Sequence, residues 1–267
     1  MVDKIGIDAG GSLVKVAYQE KENLHIKTFS NQDLEEVVKW LTFLSPEAML
    51  SITGGKASIL QSNWCHNSVI VNEFEAVVSG TRYLLQENNV LDEEFILVNI
   101  GTGTSIFHVT SDTYERVLGS GIGGGTLMGL GYLITHRTDF QTFTSMANSG
   151  DKRNSDLLVR DIYYPEEPPI YGDLTASNLG KVHLNKEASS NDYLSSVMQL
   201  IGETIILLAR QVVSTKKVSK IVFIGGTVEH NKPLQDVFLS FREMMSYEPI
   251  FLNKGTHAGA IGALIRK

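Results

Sequence analysis

The chain has 267 residues, 42% apolar and 20% charged, a balance that suits one or two folded domains with a large core. Its net charge of −7 argues against the basic face that nucleic-acid binding requires, so no nucleic-acid partner is expected. A single cysteine, Cys65, excludes an intrachain disulfide, and no uninterrupted apolar run approaches a membrane span. The first residues run straight into a strand pattern without a basic segment and apolar signal core. The plain expectation is a cytoplasmic protein with no membrane partner.

In chain order, residues 2–8, 13–19 and 25–29 read as three sequential strands. Residues 31–44 then place Leu34, Val37, Val38, Leu41 and Leu44 at helical spacing. A short buried strand at 49–53 ends in Gly54-Gly55, and another at 68–71 precedes a helix over 73–87. The second half restarts at Phe95 with its own hairpin. A glycine-rich loop at 119–125 leads into a helix through Leu133. Residues 151–175, with Pro165, Pro168 and Pro169, are the least regular stretch and read as a surface excursion. A long apolar helix at 191–214 follows, then a strand at 220–224 ending in Gly225-Gly226. A helix at 233–245, a strand at 248–252 and a helix at 258–265 close the chain. Strand-rich hairpins alternating with helices, restarted near residue 95, predict two α/β lobes on one plan with a cleft between them. The seam is placed at 85–95, giving an N-terminal lobe over 1–90 and a C-terminal lobe over 91–267, with the last helix free to cross back.

Two stretches carry the chemistry. Asp8-Ala9-Gly10-Gly11-Ser12 and Asn99-Ile100-Gly101-Thr102-Gly103-Thr104-Ser105 each join two apolar runs through a glycine turn. Bare backbone lets amides approach an anion closely, and two facing turns would clasp a polyphosphate. Either turn alone reads equally as an ordinary hairpin; the pair favours phosphate. Asp8 would hold a hard cation such as Mg²⁺, directly or through water. Lys15 is either a positive charge beside the phosphates or a strand lysine facing solvent.

Other nucleotide patterns fail: Gly54-Gly55-Lys56-Ala57-Ser58 has Leu50 where a P-loop needs glycine. Asn72 suits a helix N-cap, with Glu75 completing a capping-box-like pair. Glu73 then reads either as a first-turn carboxylate complementing the helix dipole or as a general base aimed into the cleft. Position alone favours a solvated Arg116; the alternative is a grip on an acceptor carboxylate. Cys65-His66 reads as packing plus a strand-end polar residue, and the histidines show no zinc spacing.

The duplicated clasp resembles the acetate and sugar kinase, heat-shock cognate and actin superfamily, and within it the type II pantothenate kinases. Asp8-Ala9-Gly10-Gly11-Ser12-Leu13-Val14-Lys15 looks like that family's first phosphate motif. Val71-Asn72-Glu73-Phe74-Glu75-Ala76 looks like the segment of its catalytic glutamate, and Asn99–Ser105 like its second phosphate motif. The run Arg116-Val117-Leu118-Gly119-Ser120-Gly121-Ile122-Gly123-Gly124-Gly125-Thr126 resembles its glycine loop, with the staphylococcal enzymes the most similar. Gly225-Gly226-Thr227 departs from a serine-containing adenosine loop, and Phe241 stands where those enzymes have tyrosine.

The resemblance implies an actin-like (ribonuclease H-like) α/β fold and ATP-dependent phosphorylation of pantothenate to 4'-phosphopantothenate, with MgATP as donor. It implies Glu73 as catalytic base and Arg116 with Thr102 as acceptor contacts. ATP would be held by residues 8–15, by Gly101, Thr102, Gly103 and Thr104, by Gly124, Gly125, Thr126, Leu127 and Met128, and by Phe140 and Gly226. The rival readings are a sugar or amino-sugar kinase on the same fold, or a nucleotide-dependent binding module. A homodimer is expected from the family and from the apolar residues Leu194, Val197, Leu200, Ile201, Ile205, Leu208 and Val212; the alternative is a helix buried in its own chain.

Overall fold

The computed structural model describes residues 2–31, 34–64, 67–90 and 93–266, so Cys65 and His66 lie outside the described residues. The first sheet comprises β1 (Lys4–Ala9), β2 (Leu13–Glu20), β3 (Asn23–Ser30), β4 (Met49–Thr53) and β5 (Ser68–Ile70). Helices α1 (Leu34–Leu44) and α2 (Ala57–Ser62) flank β4 in sequence, and α3 (Glu73–Glu87) follows β5. The second sheet starts with β6 (Phe95–Ile100), β7 (Thr104–Val109) and β8 (Tyr114–Ser120). An excursion then carries α4 (Gly124–Thr135), α5 (Phe140–Asn148), the strand pair β9 (Leu157–Leu158) and β10 (Thr175–Ser177) around α6 (Val159–Tyr163), and α7 (Ser190–Lys216). The chain returns through β11 (Lys220–Ile224), α8 (Lys232–Met245), β12 (Glu248–Phe251) and α9 (Ala258–Ile265).

The two sheets run β3-β2-β1-β4-β5 and, read from the other edge, β8-β7-β6-β11-β12. Pairings match as well: antiparallel hairpins through β1–β2–β3 and β6–β7–β8, parallel ladders through β1–β4–β5 and β6–β11–β12. The expected duplication is therefore a duplication of topology. Strand β8 takes in Gly119 and Ser120, so the glycine loop is shorter than its composition suggests. Helices α2 and α5 have no counterpart in the pattern read from the sequence, being too short or too polar to show a period.

Alternation along β1 positions the site. Ile5, Ile7 and Ala9 enter a core with Val37 and Leu41 of α1 and Ala57 and Leu60 of α2. The intervening Gly6 and Asp8 face α9: a Cβ on Gly6 would lie 2.0 Å from the Ala260 carbonyl oxygen, and one on Gly259 3.1 Å from Asp8 Oδ2. Helices α3 and α9 cross at backbone contact, since a Cβ on Gly80 would sit 1.8 Å from the Ala258 oxygen and one on Gly262 1.7 Å from the Ala76 oxygen. Val77, Val78, Leu84 and Leu85 of α3 join Phe95, Leu97, Phe107 and Ile224 of the second sheet. So α3 packs toward the second sheet, while α9, last in the chain, packs along β1 of the first.

Ser189 caps α7, taking a hydrogen bond from Asp192 N and closing a capping box. This is the one described helix long and apolar enough to cross a bilayer, but 61% of its apolar window is buried within the fold. Leu194, Val197, Ile201, Ile205 and Val212 are all in the second core. Among its large apolar residues Leu207 is half exposed. The helix is thus chiefly a core element of its own chain.

Candidate active site

A cleft of about 840 Å³ opens between the sheets. Asp8, Gly10, Gly11, Ser12, Leu13 and Lys15 line one wall, and Gly101, Thr102, Gly103, Thr104, Gly124 and Gly125 the other. Glu73, Arg116, Met128, Phe140 and Gly226 complete the expected set within it. The two turns face one another closely: Ser12 Oγ and Thr102 Oγ1 are 3.3 Å apart, across ninety residues of chain. Four residues of the expected set do not line the cleft. Ala9, Val14 and Leu127 are fully buried in the cores, and Thr126 bonds locally, its hydroxyl donating to Gly121 O and accepting from Gly123 N.

Each turn is held from behind. In the first lobe Gly10 N donates to Leu13 O (3.1 Å), and Asn31 Nδ2 donates to Gly10 O (2.6 Å) and Gly11 O (2.9 Å). In the second, Gly124 N and Thr227 Oγ1 donate to Gly101 O, at 2.8 and 2.9 Å, and Gly125 N donates to Thr102 O at 2.8 Å. The strands beside the turns end in glycines at positive φ, Gly54 (+91°) and Gly225 (+104°). A side chain at Gly54 would strike Ala9 O and Asp8 Oδ1, and one at Gly225 would strike Ile100 O and approach Asn99 Oδ1. Both positions need glycine twice over, for conformation and for space.

Asp8 is 9% exposed and pairs with Lys15 Nζ at 3.0 Å. Lys15 therefore turns into the cleft rather than to solvent. Glu73 is the first residue of α3, whose N-cap Asn72 accepts from Phe74 N (3.0 Å) and Glu75 N (3.1 Å). Glu75 does not reach back to the cap; it faces Arg266 at 3.7 Å. The Glu73 carboxyl is open to the cleft and makes no protein hydrogen bond among the described residues. Loss of solvent at the wall raises its pKa above the usual carboxylate range, and Asp8 raises it further, against the opposing pull of Lys15 and Arg116.

Arg116 is exposed but held on three sides. Its Nε donates to Ser105 Oγ (3.3 Å), and its guanidinium lies over the Phe74 ring (5.3 Å). A Cβ on Gly119 would come within 2.1 Å of the terminal guanidinium nitrogen. Phe74 in turn packs edge-on against Phe107 (5.5 Å, 64°).

Gly55, Gly255, Thr256 and Gly259, which had no cleft role in the sequence, also line it, as does Thr227 of the segment expected as the adenosine loop. The strand-terminal pairs Gly54-Gly55 and Gly225-Gly226 were the available signal, since both follow the inner parallel strand of their sheet. Among the described residues no three His, Cys, Asp or Glu side chains cluster as a metal site. Asp8 stands as a single carboxylate beside the glycine turns, which matches Mg²⁺ carried on phosphate oxygens better than an all-protein cage.

The Fumble family model matches residues 19–266. A type II pantothenate kinase of Oceanobacillus iheyensis is 49% identical over 98% of this chain and 98% of its own length. The chain belongs to the type II pantothenate kinase family. Another member, from Bacillus cereus, is 41% identical over 99% of this chain and 98% of its own length.

Solved structures show the fold well beyond this family. The activator of 2-hydroxyisocaproyl-CoA dehydratase from Clostridium difficile, with bound ADPNP, matches at a TM-score of 0.66 and 15% identity, over 99% of this chain and 93% of its own. A ROK hexokinase from Thermus thermophilus matches at a TM-score of 0.55 and 12% identity, over 99% and 98%. The actin-like architecture expected from the duplicated turns is thus the fold of this family member.

Proposed function

We propose that the protein transfers the γ-phosphoryl group of ATP to the primary hydroxyl of pantothenate, giving 4'-phosphopantothenate, the first step toward coenzyme A. The observation that carries this reading is the convergence of two glycine turns, a carboxylate with a raised pKa and a cradled arginine in one cleft of a chain from this family. The turns at 10–12 and 101–104 hold the phosphates from opposite lobes. Met128, Phe140 and Gly226 lie on the nucleotide side, with Gly255 and Thr256 beside them.

Glu73 accepts the proton of the attacking hydroxyl. Its raised pKa makes it a better proton acceptor than an ordinary carboxylate. Arg116 forks onto the acceptor's carboxylate, and Thr102 contacts the same substrate. Asp8 would hold Mg²⁺, directly or through water, and the bound ion would supply neutralisation of the charge that develops on the phosphates. Lys15, by pairing with Asp8, keeps that carboxylate oriented. Closure of the lobes excludes water as a competing acceptor.

The active species is proposed to be a homodimer in the cytoplasm, where its donor ATP is made and used. With much of α7 buried at home, the argument for a second copy moves to the exposed Tyr163, Tyr164, Ile170 and Tyr171 around α6. Light scattering giving 29.4 kDa at micromolar protein would reject the dimer.

The reaction is tested by ADP release with pantothenate, glucose, N-acetylglucosamine, glycerol and acetate in turn. Only pantothenate should drive release well above the water background. Turnover with a sugar and none with pantothenate would assign a sugar kinase instead, and no transfer to any acceptor would leave a nucleotide-binding module.

A further inference from the structure

We propose that Asn31 is a positioning residue that aims the first phosphate turn at its ligand. The inference rests on reading the 10–12 turn as a phosphate site. It comes from comparing the two lobes position by position.

Superposing the duplicated motifs by sequence pairs Asp8 with Asn99, Gly10 with Gly101 and Gly11 with Thr102. In the second lobe the carbonyls of Gly101 and Thr102 are tied back by Gly124 N and Gly125 N, at the start of α4 just after the third strand. In the first lobe the helix after the third strand is α1, and among the described residues none of its backbone amides bonds the Gly10 or Gly11 carbonyl. Its third strand, β3, ends at Ser30, and the next residue, Asn31, supplies both bonds from one carboxamide, to Gly10 O at 2.6 Å and Gly11 O at 2.9 Å. Asn31 N adds a third contact, to Ser12 O at 3.2 Å. Asn31 thus does with one side chain what two helix-terminal amides do in the other lobe.

The consequence follows from peptide planarity. In a trans peptide the carbonyl and the next amide point opposite ways. Fixing Gly10 O fixes the Gly11 N–H, and fixing Gly11 O fixes the Ser12 N–H. Asn31 lies behind the turn, 7% exposed, while Gly10, Gly11 and Ser12 line the cleft in front. Neither the Gly11 nor the Ser12 amide has a protein acceptor among the described residues. Two N–H groups are therefore presented forward and free for phosphate oxygens. Because both neighbours of the carboxamide nitrogen are carbonyl oxygens, only the NH₂ group fits there. Aspartate, nearly the same shape, would face those carbonyls with acceptors and lose the whole device.

The test uses the full-length protein and separates phosphate recognition from general damage. Asn31→Asp should weaken binding of ADP with Mg²⁺, by titration calorimetry, by about ten- to a hundred-fold, the scale of two lost hydrogen bonds plus a repelling charge. Asn31→Ser, with a single donor, should fall between it and the parent. Adenosine, which lacks phosphates, should compete in both variants within about two-fold of the parent, and KM for pantothenate should move as little. Equal losses for adenosine and ADP would overturn the proposal, since they would indicate a distorted cleft rather than a misaimed turn. If Asn31→Asp does not fold, the parent and Asn31→Ser still decide it. In the parent, the Gly11 and Ser12 amide resonances should shift with ADP and Mg²⁺ and not with adenosine. Failure of that shift would sink the phosphate reading of the turn itself. Shifts in the parent with undiminished ADP affinity in Asn31→Ser and Asn31→Asp would sink only the role of Asn31.

Discussion

Replacing Glu73 by glutamine separates its proposed chemistry from its structural role. The α3 cap is made by Asn72 Oδ1 with Phe74 N and Glu75 N, so Glu73 takes no part in it. Among the described residues its carboxylate has no hydrogen bond to lose. Glutamine keeps the shape and removes only the proton acceptor and the charge. A positioned general base contributes about 10²–10⁴ in rate, so kcat should fall by that factor, or about 2.7–5.5 kcal/mol of barrier, with KM for ATP nearly unchanged. The stability effect has the opposite sign. A carboxyl whose pKa is higher in the folded state than in the unfolded state stabilises the fold below the unfolded value. That contribution is lost as the pH rises through the folded value. Above the folded value the ionised Glu73 is thus a liability, though a small one because it is open to the cleft. Glu73→Gln should melt at or slightly above the parent temperature near neutrality, and the difference should shrink as pH falls through the carboxylate range. Coupled ADP release and thermal melts at neutral and acid pH measure both. Turnover within a few-fold of the parent would refute the base assignment, and a lowered melting temperature at neutral pH would refute the electrostatic account.

Asp8→Asn should keep the hairpin but weaken Mg²⁺-dependent turnover, partly recoverable at higher Mg²⁺; an unchanged metal titration would contradict it. Because Asp8 is the second cause of the raised Glu73 pKa, the same variant should move the acid limb of the kcat profile to lower pH. Arg116→Ala should raise KM for pantothenate by about ten- to a hundred-fold, the scale of a lost charge-assisted pair of about 1.5–3 kcal/mol, with less effect on analogues lacking the carboxylate. Gly119→Ala should give part of that loss by displacing the guanidinium, read in the same assay. Gly262→Ala places a methyl against the Ala76 carbonyl where α3 and α9 cross. It should cost about 1–3 kcal/mol or more in urea unfolding, with activity lost in step.

The sequence by itself determined the chemistry-bearing turns and the doubled plan. Asp8-Ala9-Gly10-Gly11 and Asn99-Ile100-Gly101-Thr102 are legible because tight turns between apolar strands leave few residue choices, and local backbone geometry is written locally. Glu73 was legible as a residue left without a capping duty, and the run from Arg116 to Gly125 by its glycine content. Tertiary structure alone decided what those residues face. Lys15 sits on a strand whose pattern suits either side, and only packing beneath α9 turns it onto Asp8. Leu127 and Val14 share motifs with cleft residues yet point the other way, because strand and helix periods send alternate positions into the core. Asn31 opens the helical stretch read at 31–44 and gains its meaning from two carbonyls about twenty residues away. The long apolar helix, which composition left between a core and an interface, is settled largely as core by the sheet laid against it. Such pairings depend on which distant surfaces meet, and a one-dimensional pattern holds the period of a face but not the identity of what covers it.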